Sequence, residues 1–139
     1  MSGNKILNIL LVEDDKIDVM NVRRAFERNK IANPMFVASN GLEALELLRS
    51  GTIPLKNRLV LLDINMPKMN GIEFLRELRA DAELRPTCVV VLTTSNEERD
   101  RVEAYKLNVA GYLLKPVTFA SFVELMAALD KYWTLVEMP

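Results

Sequence analysis

The sequence predicts a doubly wound α/β domain built on a buried parallel sheet. Two observations carry this expectation. The first is Leu59-Val60-Leu61-Leu62, four large apolar residues that run without alternation into Asp63. Such a run reads as a strand covered on both faces, as parallel strands are. The second is the order of signals. Five short apolar runs alternate with five stretches of helical spacing, the pattern of a parallel sheet with helices on both faces.

Each element can be justified in turn. Asn8-Ile9-Leu10-Leu11-Val12 is the first strand and ends in Glu13-Asp14-Asp15. A helix follows from about Lys16 to Arg28, with Ile17, Met20, Val22 or Arg23, and Phe26 as its expected inner face. Asn33-Pro34 breaks it, and Met35-Phe36-Val37-Ala38 is a short second strand. After Asn40-Gly41, Leu42, Leu45, Leu47 and Leu48 make the apolar side of a second helix. Gly51 and Pro54 mark a loop before the central strand. Pro67 stops that strand's continuation, and Asn70-Gly71 is a turn signal before a helix bearing Ile72, Leu75 and Leu78. The fourth strand is Cys88-Val89-Val90-Val91-Leu92. Thr93-Thr94-Ser95-Asn96 offers N-caps for a helix through Leu107. Gly111-Tyr112-Leu113-Leu114 is the fifth strand, and a last helix runs from about Phe119 to Trp133.

Composition narrows the chemistry. With 139 residues, half of them hydrophobic, the chain suits one domain, residues 1–139, with 133–139 as a C-terminal extension. Eighteen basic residues nearly cancel nineteen acidic ones, so no charge excess argues for nucleic acid or a membrane surface. No secretion signal or membrane-length apolar run is evident, and a cytoplasmic protein is the expectation. The single cysteine, Cys88, lies in an apolar strand and reads as a small core residue. Histidine is absent, so any chemistry must rest on carboxylates, hydroxyls and lysine.

Those groups follow the strands. Glu13-Asp14 ends strand one, Asp63 strand three, Thr93 strand four, and Lys115-Pro116 strand five. Parallel sheets bind ligands outside the carboxyl ends of their strands, so four distant segments should meet at one edge. Crowded carboxylates need a cation, and all-oxygen ligation favours Mg²⁺. A lysine and a hydroxyl beside them suit an anionic oxygen, and an aspartate can serve as nucleophile. Asp15 and Asp18 read as solvated loop residues or helix caps and are left out of the set. The bond before Pro116 is open to the cis form, the minority state.

Leu11-Val12-Glu13-Asp14, Leu62-Asp63-Ile64-Asn65-Met66-Pro67, Val91-Leu92-Thr93-Thr94 and Tyr112-Leu113-Leu114-Lys115-Pro116 together resemble the CheY-like receiver domain of two-component response regulators. The resemblance spans nearly the whole chain. It implies a flavodoxin-like sheet of order 2-1-3-4-5 with five helices. It implies that Asp63 accepts a phosphoryl group from a sensor histidine kinase. Mg²⁺ would be held by Glu13, Asp14, Asp63 and the main-chain carbonyl of Asn65, with Asp14 the more direct ligand of the acidic pair. Thr93 and Lys115 would meet the phosphoryl oxygens. Thr93 would be drawn inward by them, with Tyr112 following as the aromatic switch partner. Two further stretches, Leu107 to Val117 and Tyr132 to Pro139, resemble the single-domain phytochrome response regulators. That subfamily implies a phytochrome kinase as partner, no output domain, and a homodimer over helix four, strand five, helix five and the C-terminal tail. The loop at 50–58 is short for the subfamily. Tyr132, Trp133, Leu135, Val136 and Met138 also crowd five apolar groups into the last eight residues, which fits either a dimer or a tail folded on its own domain.

Two other functions compete. A haloacid-dehalogenase-type phosphatase also places a nucleophilic aspartate after a strand, but it needs a carboxylate two residues later, where this chain has Asn65. A phosphorylation-free scaffold of the same fold has no use for crowded carboxylates. The expectation is therefore a phosphoacceptor that is not an enzyme on other substrates.

Overall fold

The computed structural model describes residues 7–54 and 56–136. Its elements are β1 (Asn8–Val12), α1 (Lys16–Arg28), β2 (Met35–Ala38), α2 (Gly41–Arg49), β3 (Arg58–Leu62), α3 (Gly71–Ala80), β4 (Cys88–Thr93), α4 (Glu98–Lys106), β5 (Gly111–Leu114) and α5 (Phe119–Leu135). The strands form one parallel sheet of order β2-β1-β3-β4-β5. This is the flavodoxin-like order implied by the resemblance. Val12 pairs with Leu62 and Leu62 with Val91, so β1 and β3 end level with one another and β4 runs two residues further, to Thr93. No helix among the described residues is long and apolar enough to cross a membrane.

Side chains alternate along the strands and fill two cores. Val60 and Leu62 of β3 face α2 and α3, where Leu45, Leu48, Phe74 and Leu75 are buried. Leu59 and Leu61 face the other way, into a core with Phe26 of α1 and Phe122, Met126 and Trp133 of α5. β3 is buried at all five positions, as its lack of alternation predicted. Cys88 is half-buried against the second core, a packing residue as expected.

The turn after β3 places Asp63. Asn70 caps α3 in a reciprocal capping box with Glu73, which fixes where the helix starts. Gly71 then passes hard against the β3 exit. A Cβ there would lie 2.8 Å from the Cα of Ile64 and closer still to the Asp63 carbonyl, so only glycine lets helix and strand end approach this closely.

Four expectations are corrected. The inner face of α1 is Val22, Ala25 and Phe26, while Ile17 and Met20 are exposed. Leu42 of α2 is likewise exposed, and Gly41 and Ala44 take the buried positions instead. None of residues 93–96 caps α4. Its N-cap is Glu97, whose side chain makes no capping bond, because the Thr93 hydroxyl is turned into the sheet edge and Ser95 Oγ donates to Asp100 Oδ2. Finally, α5 runs on through Trp133 to Leu135, and Trp133 is buried in its own chain. The extension cannot begin at residue 133, and Met138 lies outside the described residues. No peptide bond among the described residues is cis, so the open question at Pro116 resolves to trans.

Candidate functional site

The sheet edge is organised from Asp63 outward. Its main-chain N–H donates to the Val12 carbonyl at 3.0 Å and holds the end of β3 to the end of β1. Glu13 is held the same way, donating to the Ala38 carbonyl at 2.9 Å. The next residues turn out of the sheet into α1, which Asp15 caps by accepting from the Ile17 and Asp18 amides. That is the capping role expected of Asp15. Asp14, between them, is exposed at the mouth. One carboxylate oxygen from each of Glu13, Asp14 and Asp63 lies within 4.8 Å of the others.

Thr93 ends β4 fully buried, and its hydroxyl donates to Asp63 Oδ1 at 2.6 Å. The Thr93 hydroxyl oxygen itself accepts from the Ser95 amide at 3.2 Å and the Ile64 amide at 3.5 Å. The hydroxyl is therefore oriented by two donors and has its proton free for the carboxylate. Tyr112 of β5 is half-buried, and its hydroxyl donates to the Ser95 carbonyl at 3.0 Å. Thr93 and Tyr112 are thus linked through the backbone of Ser95. Asn65 is exposed, and its amide donates to Asp63 Oδ1 at 3.4 Å.

Lys115 follows β5, its amide donating to the Thr93 carbonyl at 2.8 Å. Its ammonium is nearly buried and meets three carboxylates: Glu13 Oε1 at 2.5 Å, Asp18 Oδ2 at 2.7 Å and Asp63 Oδ2 at 3.5 Å. Every residue predicted for the site is thus brought to one edge. Asp18 is the residue that sequence reasoning set aside. Its one signal was its place in the first turn of α1, three residues after the Asp15 cap and so close in sequence to the acidic pair.

The electrostatics follow from one ammonium among several carboxylates. Burial pushes the Glu13 carboxyl up to about 7, against the hydrogen bond from Lys115 that works to keep it ionised. Burial works to lower Lys115, but hydrogen bonds to Asp18 and Glu13 and the charge of Asp63 outweigh it, and the ammonium stays protonated. Burial also raises the Tyr112 phenol. An excess of hard anionic oxygens around one cation is a donor set for a divalent cation of the Mg²⁺ or Mn²⁺ kind.

Comparison with known proteins agrees with this geometry. The model of the response regulator receiver domain matches residues 9–128. The probable methanogenesis regulatory protein FilR2 of Methanothrix harundinacea is 38% identical over 130 residues, covering 90% of this chain and 82% of that protein. Response regulator Rcp1 of Synechocystis is 34% identical over 129 residues, covering 90% and 87%. The solved structure of the Mn²⁺-bound form of Rcp1 superposes with a TM-score of 0.82 over 96% of this chain and 99% of that one. The phosphorylated cyanobacterial phytochrome response regulator RcpA, 31% identical, superposes with a TM-score of 0.85 over 97% and 99%.

Proposed function

The chain belongs to the response regulator receiver family, and on that premise we propose that it takes a phosphoryl group onto Asp63 from a sensor histidine kinase, of the phytochrome class. The observation that carries this reading is the placement of Asp63. It is a buried carboxylate at the end of the central strand, with a hydroxyl on one oxygen and an ammonium facing the other. An Asp63 oxygen attacks the phosphorus, the P–N bond of the donor phosphohistidine breaks, and the imidazole leaves with the electron pair and takes up a proton. Thr93 and Lys115 then meet the phosphoryl oxygens with charge-assisted hydrogen bonds. Glu13, Asp14, Asp63 and the main-chain carbonyl of Asn65 would hold Mg²⁺, which supplies charge neutralisation between the anionic donor and the acceptor.

The protein acts by changing contacts with other proteins, and it catalyses only its own phosphorylation and dephosphorylation. Asn65 supports this over a phosphatase, since an amide two residues after the nucleophile cannot serve as a general acid or base. Assembly is proposed as a two-fold dimer over α4, β5 and α5. The acceptor test uses a small phosphodonor such as acetyl phosphate with Mg²⁺. Wild type should gain one label, and Asp63→Asn none. Undiminished labelling of the variant would refute the assignment.

A further inference from the structure

Lys115 is shared unequally. An ammonium has three donors, and two of them go to short contacts with Glu13 and Asp18. The third faces Asp63 at 3.5 Å, the limit of a hydrogen bond. The phosphoacceptor is thus the carboxylate the lysine holds least. Asp18 reaches the ammonium from the first turn of α1, and its side chain keeps only 23% exposure. An acidic side chain in that turn ordinarily needs nothing beyond the helix dipole and solvent.

Resting on the phosphoacceptor reading above, we propose that Asp18 is a positioning residue that holds the Lys115 ammonium off Asp63. The consequence is chemical. A short charge-assisted bond to Oδ2 would tie down lone pairs that the nucleophile needs, and it would have to break before attack. Anchored on Asp18, the lysine leaves Oδ2 loosely held and still stands beside the place where a phosphoryl group arrives. Without Asp18 the ammonium has two carboxylates left for its three donors, and it closes on Asp63.

The test uses the full chain and the near-isosteric Asp18→Asn. The first readout is the Lys115 side-chain ammonium resonance in nitrogen-15 NMR, assigned by its loss in Lys115→Ala. It should shift in Asp18→Asn while the α1 amide signals stay in place. The second is the maximal rate of labelling by acetyl phosphate with saturating Mg²⁺. Asp18→Asn should slow it roughly three- to tenfold, and the slowing should shrink below about twofold when Lys115 is already alanine. An unmoved ammonium signal overturns the proposal, as does an unchanged or faster rate, or equal slowing with and without Lys115. If wild type takes no label, it is the phosphoacceptor reading that fails. The ammonium resonance then still decides whether Asp18 sets the position of Lys115.

Discussion

At the scale of single residues, Glu13 shows how burial and charge compete. Its carboxyl ordinarily titrates at 4.5 and is pushed to about 7 here, chiefly by burial. Between those values the folded chain keeps a proton that the unfolded chain has released. Stability contributed by this group is therefore greatest below 4.5 and falls as pH rises through 7. In urea unfolding with a chelator present, the stability of wild type relative to Glu13→Gln should decline across that window by about one proton's linkage. A difference that stays flat would mean that the bond from Lys115 outweighs burial. Asp14 tests the metal set. It is exposed, but its oxygen belongs to the three-carboxylate cluster, whereas Asp15 is spent on capping α1. Asp14→Ala should weaken Mg²⁺ binding well beyond Asp15→Ala, and equal losses in a titration would show that the acidic pair is wrongly assigned.

At the scale of elements, α4 is the helix least committed to the core. Ala104 is its one buried residue, its N-cap makes no side-chain bond, and Val102 and Tyr105 lie exposed on it. Its start is tied instead through Ser95, which bonds Asp100 by its hydroxyl, Thr93 by its amide and Tyr112 by its carbonyl. We propose that a change at Thr93 reaches both α4 and β5 through these bonds. Thr93→Ala should still accept a phosphoryl group, yet Tyr112 should stop responding to it. Aromatic-ring NMR shifts check this, and an equal Tyr112 response in the variant would break the link through Ser95. These elements were unevenly legible in the sequence. The five strands and the groups after them could be read because unbroken apolar runs leave few alternatives to buried parallel strands. Helix faces were harder. Ile17, Met20 and Leu42 fit an apolar stripe by spacing, yet α1 and α2 turn Ala25 and Ala44 inward, where small side chains allow close packing. Asp18 was missed because its partner is 97 residues away, and only the packing of α1 against α5, the helix that follows Lys115, brings the two together.

For the whole molecule, the open question is what covers the apolar groups on α4, β5 and α5. Val102, Tyr105, Leu114, Tyr132 and Leu135 are all exposed, Leu135 at 86%. The sequence could not separate a tail folded on its own domain from one lent to a partner, because both need apolar residues at the end. The structure divides the tail's roles. Trp133 packs inward, its ring 6.1 Å from that of Phe26 and its indole N–H donating to Asp130 at 3.0 Å. Leu135, two residues later, points outward. Cutting the chain after Lys131 would therefore confuse assembly with folding, since losing a buried tryptophan costs about 3–5 kcal/mol. A surface substitution separates the two. In a two-fold dimer each copy buries the same patch, so one charge placed there is introduced twice into the interface. Leu135→Asp should convert a sedimenting dimer to monomer with its melting temperature in the monomeric state unchanged, whereas Trp133→Ala should lower stability. The same face carries Tyr112. If beryllofluoride, a phosphoryl mimic, strengthens the dimer, dimerisation must favour the mimic's binding by the same factor. A wild type that sediments as monomer at every working concentration, with and without beryllofluoride, would rule the dimer out. A dimer indifferent to Leu135→Asp would move the interface away from the end of α5.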